Sequence, residues 1–159
     1  MNRVAHALLL GVLGCSSTPA DVSGDYTMAV TDEANGCNLQ NWTMGDSSTG
    51  VPVTITQDTK NVTIDITGAA GAYVAVVLGT SMFMGTVDGD NVSATLFGTR
   101  SATMGGCAYT YNADLEASLN VDELSGSIAY TPQTNGSPDC STIMGCTSTQ
   151  NFNGTRAPQ

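Results

Sequence analysis

The chain has 159 residues, 14 acidic residues, only four lysines and arginines, and a formal net charge of −10 at neutral pH. This length suits one domain with a single core, and so acidic a chain lacks the basic surface that nucleic-acid binding requires. Its one histidine, His6, lies near the N-terminus. The rest of the chain therefore has no histidine for a Ser-His-Asp or Cys-His catalytic arrangement or for a histidine metal site.

The first residues of the chain have the features of an export signal. Arg3 precedes an apolar run over residues 4–13, which Gly14 and Cys15 follow. The run is too short for a permanent membrane-spanning helix, which needs about 20 residues. We therefore interpret residues 1–14 as a signal peptide that is removed from the mature protein.

The residues around the predicted cleavage site match a more specific pattern. Val12-Leu13-Gly14-Cys15 resembles the lipobox of bacterial lipoproteins. The resemblance implies cleavage before Cys15, lipidation of Cys15 and a short lipidated tether over residues 15–21. It also implies a protein of the bacterial cell envelope, and Ser16 is typical of the outer-membrane type. An ordinary secretory peptide, with Cys15 incidental, is the alternative.

Residues 22–159 carry the alternation of apolar and polar side chains that is typical of half-buried β-strands. The clearest example is a hairpin over 81–99, in which the turn Asp88-Gly89-Asp90-Asn91 sets Val87 opposite Val92. Asp, Asn and Gly tolerate the positive φ angles of tight hairpin turns. The same pattern predicts eight strands in all, with inward-facing residues within 22–30, 51–55, 62–66, 83–87, 92–96, 107–119, 124–130 and 150–154.

The connections between these strands alternate between short and long. In an up-and-down meander, the short turns therefore lie at one end of the molecule and the long loops at the other. The first long loop, residues 32–50, contains the only tryptophan, Trp42. The segment 68–79, GAAGAYVAVVLG, does not alternate, and we predict a short helix there, between the third and fourth strands.

Eight meandering strands close most simply when the first and last strands pair, because closure leaves no free edge. We therefore predict an all-β protein with one antiparallel closed barrel; a two-sheet β-sandwich with the same strand faces is the alternative. Four glycines on the predicted inner face allow the coiling that closure needs: Gly24, Gly85, Gly126 and Gly154. Strand number and alternation resemble those of lipocalin-like and avidin-like barrels, without a family motif that names a ligand.

The cysteines other than Cys15 predict two disulfides, because exported chains with an even number of cysteines usually pair them. These cysteines are Cys37, Cys107, Cys140 and Cys146. Their spacing does not fit zinc, which takes closely spaced pairs. The meander places all four at the long-loop end, where proximity favours Cys37–Cys146 with Cys107–Cys140. The pairing Cys140–Cys146 with Cys37–Cys107 remains open.

Few chemistries remain for such a chain, and we predict no catalytic, metal or cofactor site. Asp114 and Glu116 come nearest to a glycosidase pair, but a position on the outer face of the sixth strand is ordinary for solvated charges. Asp88, Asp90 and Asn91 resemble calcium ligands in type only, since the spacing of a calcium-binding EF-hand loop is absent.

Two candidate binding surfaces remain, the inner face of the barrel and the long-loop end. Their aromatic side chains are possible contacts for a ligand or partner: Trp42, Tyr73, Tyr109, Tyr111, Tyr130 and Phe152. The first hypothesis is a non-enzymatic, lipid-anchored envelope protein whose disulfide-stapled loops bind another macromolecule or serve the envelope structurally. The alternatives are a carrier of a small apolar ligand, since eight strands enclose room for about one, and a protease inhibitor.

Overall fold

The computed structural model describes residues 18–158; the predicted signal peptide and Cys15 lie outside the described residues. The described residues form nine β-strands, one α-helix and one short 3₁₀ helix. In chain order these are β1 (Gly24–Asn35), β2 (Ser47–Asp58), β3 (Asn61–Ile66), α1 (Gly68–Leu78), β4 (Met82–Asp88), β5 (Asn91–Leu96), β6 (Ala102–Met104), β7 (Cys107–Asn120), β8 (Glu123–Thr134), the 3₁₀ helix (Pro138–Thr142) and β9 (Ser148–Arg156).

Eight of these strands close into an antiparallel barrel, because β1 pairs with both β2 and β9. The order around the ring is β1-β2-β3-β4-β5-β7-β8-β9. The predicted meander, its closure by the first and last strands, and the helix between the third and fourth strands are confirmed. A two-sheet sandwich, the alternative, is excluded by this closure.

Strand β6 lies outside the ring and is not among the eight strands predicted from the sequence. It pairs with residues 107–109 of β7, whereas β5 pairs with residues 113–118 of the same strand. Strand β7 therefore runs past the end of β5, and β6 pairs with the same edge of β7 beyond that point. A strand of three residues is too short to show alternation, so no sequence pattern indicates β6.

Three two-residue turns define one end of the barrel, which we call the short-turn end. Val87 pairs with Val92 across one of them, as predicted. Thr59, Gly89 and Val121 have φ angles of 55°, 58° and 58°, which suit hairpin turns that follow the right-handed twist of paired strands. The residues that close these turns are Asp58 and Asn61, Asp88 and Asn91, and Asn120 and Glu123.

At the opposite end, the loop end, the strands are longer than predicted. Strand β1 continues to Asn35 and β2 begins at Ser47, so the connection between them spans 36–46, and the predicted loop over 32–50 is wrong. Strand β9 likewise extends past 150–154 in both directions. The physical reason is that backbone pairing between β1 and β9 continues through Asp32 to Asn35, where the side chains no longer alternate between apolar and polar.

Apolar side chains from every strand of the ring fill the barrel. The largest fully buried ones are Phe83, Ile55, Leu96 and Leu124. Three of the predicted inner-face glycines lie where a neighbouring strand comes very close. A Cβ atom on Gly85 or Gly126 would overlap a backbone carbonyl of the adjacent strand, and one on Gly154 would overlap the sulfur of Met28. The strands therefore coil tightly at these positions, which only glycine permits.

Two disulfides join the connections at the loop end, Cys37–Cys146 and Cys107–Cys140. This is the pairing that proximity in the meander favours, and the alternative pairing is excluded. The first bridge ties the β1–β2 connection to the segment before β9. The second ties the start of β7 to the 3₁₀ helix. Each bridge contributes about 2–4 kcal/mol to stability.

The residues before β1 close the short-turn end. Val22 is fully buried, and its N–H donates to Oε1 of Gln57 at 2.8 Å. Two residues earlier, the N–H of Ala20 donates to the carbonyl oxygen of Gly89 in the β4–β5 turn at 2.8 Å. The chain therefore approaches the barrel beside the β4–β5 turn and then crosses beneath the strands to reach β1.

Helix α1 lies across part of the loop end. At its start, the N–H of Thr67 donates to the carbonyl oxygen of Pro52 in β2 at 2.9 Å. At its end, the carbonyl oxygen of Leu78 accepts a bond of 2.8 Å from the N–H of Thr99, after β5. The buried side chain of Leu78 extends the core. Neither helix of the described residues has the length and apolar run needed to cross a membrane.

Candidate binding surface at the loop end

An aromatic pair lies at the loop end. Trp42, in the β1–β2 connection, meets Tyr130 of β8 edge to face, with ring centroids 5.8 Å apart and an interplanar angle of 87°. The indole Nε1 of Trp42 donates to the carbonyl oxygen of Glu33 at 3.0 Å. Such aromatic pairs contribute about 0.5–1.5 kcal/mol beyond their buried area. Together these contacts hold the connection over β8.

A chain of hydrogen bonds leads from Tyr130 to a carboxylate. The Tyr130 hydroxyl donates to Oε1 of Gln150 at 2.7 Å, and Nε2 of Gln150 donates to Oδ1 of Asp32 at 2.6 Å. Burial, followed by the negative charge of Asp32, raises the pKa of Tyr130 well above its ordinary value. The phenol therefore stays neutral at physiological pH and keeps its donated bond. We call Trp42, Tyr130, Gln150 and Asp32 the rim.

The loop that carries Trp42 is fixed at its base by polar contacts. The side chain of Asn35 accepts a bond of 2.7 Å from the N–H of Leu39 and donates one of 2.9 Å to the Leu39 carbonyl oxygen. The hydroxyl of Ser148, which is fully buried, donates to Oδ1 of Asn35 at 3.0 Å and accepts from the N–H of Cys37 at 3.1 Å. Together with the disulfide at Cys37, these bonds fix the conformation of the loop before any partner binds.

A second aromatic pair lies one strand away from the rim, on β7. Tyr109 and Tyr111 are both half-buried, and their rings meet edge to face at 5.7 Å. Tyr111 packs against the barrel core. Its burial, and then the neighbouring Tyr109, raise the pKa of Tyr111. Since Ala113 on the same face pairs with Tyr130, this second pair lies next to the rim and extends its aromatic surface.

The two remaining predicted contacts lie elsewhere. Phe152 is buried inside the barrel, where it lines the internal cavity. Tyr73 projects from α1 into solvent. The structure thus brings together four of the six aromatic residues named from the sequence at the loop end and assigns the other two to different surroundings.

The cavity inside the barrel is apolar and small. Its volume is about 40 Å³, and its lining includes Met28, Ile64, Phe83 and Phe152. Sites for small organic molecules usually have volumes of about 300–1,000 Å³. Side chains therefore occupy most of the interior, and the space open to a partner is outside it.

The outer wall carries the two carboxylates that come nearest to a glycosidase pair in the sequence. The described residues contain no cluster of three or more His, Cys, Asp or Glu side chains suited to a metal ion. Asp114 and Glu116 are exposed and accept hydrogen bonds from Thr95 and Ser93 at 2.8 Å and 2.6 Å. Such cross-strand bonds are ordinary on the outer face of a sheet, so these carboxylates connect β7 with β5.

Two members of the rim, Asp32 and Gln150, were not identified from the sequence. The sequence pattern predicts Asp32 at the start of a loop and Gln150 on the inner face of the last strand, without a binding role for either residue. The signal that identifies Asp32 is the period of two, because it continues the inner-face series of Tyr26, Met28 and Val30. A polar residue in such a series marks the level at which the apolar core ends and the open end begins.

The rim offers aromatic rings, an amide and a carboxylate. Side chains of these types bind by stacking, hydrogen bonding and charge, and these four residues include no nucleophile activated by a base. Comparisons with protein-family models, with curated proteins and with solved structures find no match to this chain.

Proposed function

We propose that this protein is a non-enzymatic binding protein of the bacterial cell envelope. In this proposal a lipid on Cys15 anchors it to the membrane, and the rim binds another macromolecule. The observation that carries the proposal is the edge-to-face pair of Trp42 and Tyr130 beside the carboxylate of Asp32. Trp42 lies on a loop that the Cys37–Cys146 disulfide holds in place.

The composition and stiffness of the rim support a role in binding. Tryptophan and tyrosine are enriched among the residues that dominate interface energies. Exposed methionines, which adapt to irregular partner surfaces, lie in both connections that the Cys37–Cys146 bridge joins: Met44 and Met144. Because the loop is already fixed by hydrogen bonds and the bridge, binding costs little conformational entropy.

The charges around the rim indicate the chemistry of the partner. Asp32 belongs to the rim, Glu33 accepts the indole hydrogen bond through its backbone, and the chain as a whole carries a net charge of −10. Aromatic faces beside a carboxylate favour a cationic side chain, and complementary charge favours encounter with a basic partner. We therefore propose a partner segment with a lysine or arginine among apolar residues.

The lipid anchor is the part of the proposal that follows from the lipobox resemblance, and Ser16 suggests the outer membrane as its location. Two or three acyl chains hold a protein firmly at a membrane, whereas a single chain binds only marginally. The described chain approaches the barrel at the short-turn end, beside Gly89. An anchor at Cys15 would therefore keep that end near the membrane.

The interior of the barrel favours this proposal over a carrier. The carrier alternative depends on room for one small ligand inside the eight strands, but a cavity of about 40 Å³ is several times smaller than a usual ligand site. No observation favours a protease inhibitor.

Site-specific photocrosslinking tests the rim, in a bacterium whose envelope contains the full chain. A photoreactive residue replaces Met44, in the loop that carries Trp42, or Val121, in the β7–β8 turn; both positions are exposed, and they lie at opposite ends. We expect a discrete adduct from position 44, none from position 121, and loss of the adduct when Trp42→Ala is added. Equal adducts from both positions, or an adduct that survives Trp42→Ala, would contradict binding at the rim.

Labelling with a radioactive fatty acid tests the anchor separately. We expect the wild-type chain to take up the label and to sediment with membranes, because a diacylated cysteine partitions strongly into lipid. The Cys15→Ser variant should lose both properties, whereas Ser16→Ala should keep the label. Uptake of label by the Cys15→Ser variant would contradict a lipid at Cys15.

A further inference from the structure

The outward face of helix α1 is apolar along its whole length. Tyr73, Val76 and Val77 are exposed, and Ala69 and Ala72 lie on the same stripe at a spacing of three and four residues. A surface helix usually carries charged and polar residues on its solvent face. The 11 residues of α1 contain none that is charged. The outward stripe therefore has the composition of a contact surface.

The apolar surface continues from α1 onto the outer wall of β4 and β5. Met84 pairs with Thr95, and Met82 and Phe97 each lie two residues further toward the loop end of this hairpin. The carbonyl oxygen of Leu78 accepts bonds from the two residues that follow Gly98, which brings the end of α1 beside Phe97. We call the following six residues, whose exposed fractions lie between 45% and 61%, the apolar shoulder: Tyr73, Val76, Val77, Met82, Met84 and Phe97.

A contiguous apolar patch of this kind marks an interaction surface, whereas single exposed apolar residues are normal. The path of the chain indicates what covers it. Ala20 is bonded to Gly89, in the turn at the foot of the same β4–β5 hairpin. Cys15 precedes Ala20 by five residues, a span of at most about 18 Å. An anchor at Cys15 therefore places the membrane within reach of the side of the barrel that carries the shoulder.

We infer that the apolar shoulder rests on the lipid surface to which the chain is anchored, so that the barrel lies on its β4–β5 side. The inference depends on the proposed lipid anchor and adds the orientation of the barrel to it. An interfacial helix buries its apolar face about 5–10 Å into the boundary between headgroups and acyl chains. Tyr73 suits that boundary, because its ring is apolar and its hydroxyl is polar.

The charges on this side indicate the kind of lipid surface. Lys60 and Arg100 lie at the two ends of the hairpin, since the Lys60 carbonyl oxygen accepts from Val87 and the N–H of Arg100 donates to Leu78. Between them, however, the neighbouring wall of β7 exposes Asp114 and Glu116. A strongly anionic membrane would repel these carboxylates. The shoulder therefore fits a zwitterionic surface and binds through apolar contact.

This orientation leaves the rim free for its partner. In the ring of eight strands, β4 and β5 lie opposite β9 and β1. The rim residues Asp32 and Gln150 belong to β1 and β9, and Trp42 follows β1. A barrel that rests on β4 and β5 therefore turns the rim away from the membrane. A second copy on the shoulder is less favourable, because each copy carries the same large negative charge.

Fluorescence quenching by brominated lipids tests the inference. Trp42→Phe removes the native tryptophan and keeps an aromatic ring, and a single tryptophan is then introduced by Val76→Trp on the shoulder or by Met44→Trp beside the rim, both exposed positions. The full lipidated chain is reconstituted in phosphatidylcholine vesicles. We expect quenching by the brominated lipid to be about twofold or more greater for Val76→Trp than for Met44→Trp, because only the shoulder enters the interface.

Equal quenching at the two positions, with the protein attached to vesicles, would overturn the inference and leave the anchor standing. A blue shift of Val76→Trp emission that depends on protein concentration in detergent, without vesicles, would assign the shoulder to a second copy. An anchor made independently, by a histidine tag in place of residues 1–15 and a nickel-chelating lipid, separates the two proposals. A chain that attaches only in this way, yet shows the same contrast, would contradict lipidation and support the shoulder.

Discussion

The guanidinium carbon of Arg156 lies 5.8 Å from the centroid of the Tyr26 ring. This contact joins the last strand of the barrel to the first. The Nε atom of Arg156 is 3.2 Å from Oδ1 of Asp122, and the arginine side chain is only 7% exposed. Tyr26 in turn donates its hydroxyl to the carbonyl oxygen of Val22 at 3.0 Å. One arginine thus connects β9, β1 and the β7–β8 turn at the short-turn end.

Replacement of Arg156 by alanine should destabilise the barrel by about 2–3 kcal/mol. Removal of one partner of a largely buried ion pair leaves the other without compensation, and the contact with Tyr26 is lost as well. Urea unfolding followed by circular dichroism measures the change. Arg100→Ala is the matched control, because Arg100 is exposed, and it should change stability by about 0.5 kcal/mol or less. Equal losses in the two variants would contradict a special role for Arg156.

The tight coiling of the β4–β5 hairpin predicts a large effect of one added methyl group. A Cβ atom at position 85 would overlap the carbonyl oxygen of Ser93. Gly85→Ala should therefore cost about 1–3 kcal/mol, as overpacking in a core usually does. Thr86→Ala, on the exposed outer face of the same strand, is the control and should be nearly neutral. A stable Gly85→Ala protein would show that the strands separate more easily than the structure indicates.

The disulfide between Cys37 and Cys146 should fix the rim as well as stabilise the fold. Replacement of both cysteines by serine should lower the free energy of unfolding by about 2–5 kcal/mol, because the bridge closes a long loop in the unfolded chain. Trp42 should also become more solvated, since its loop loses a covalent tie, and its emission should shift to the red. The double variant at Cys107 and Cys140 is the comparison: it should lose stability without that shift. No shift in either variant would mean that hydrogen bonds alone hold the loop.

The environment of Tyr130 predicts that the protein loses stability in alkali. Burial and the charge of Asp32 raise the pKa of Tyr130 in the folded state, whereas an unfolded tyrosine titrates near about pH 10. A raised folded-state pKa contributes stability that is fully present below that unfolded value and is lost as the pH rises toward the folded value. Unfolding measurements at about pH 8 and about pH 11 should show a smaller alkaline loss for Tyr130→Phe than for the wild type. An equal loss in both would place the sensitivity in another group.

The hairpins of this protein could be predicted in detail because their information is local. Asp and Asn occur in each short turn, and the residues on either side alternate, so the pairing of Val87 with Val92 follows from the sequence. The extension of β1 through Asp32 to Asn35 could not be predicted in this way. Its residues are mostly polar, and only the neighbouring β9 shows that they pair.

The candidate site was predictable only in part, for a related reason. Trp42 and Tyr130 meet at the loop end, as their places in the meander suggest, whereas Phe152 lies in the core and Tyr73 on an exposed helix face. Inward-facing aromatic residues look alike in a sequence. Whether one is buried or accessible depends on its position along the barrel axis relative to the packed core. The pairing of all the strands determines that position.

The sequence by itself determined the all-β class, the number and faces of the barrel strands, the short turns and the set of cysteines that pair, because each of these depends on residues a few positions apart. Only the tertiary structure decided that Cys37 joins Cys146, 109 residues away, that Gln150 donates a hydrogen bond to Asp32, and that the interior keeps a cavity of about 40 Å³. These features depend on how tightly eight strands coil and at which level they meet. Local periodicity does not specify distances between residues that are far apart in the sequence. Those distances are set only when the barrel closes.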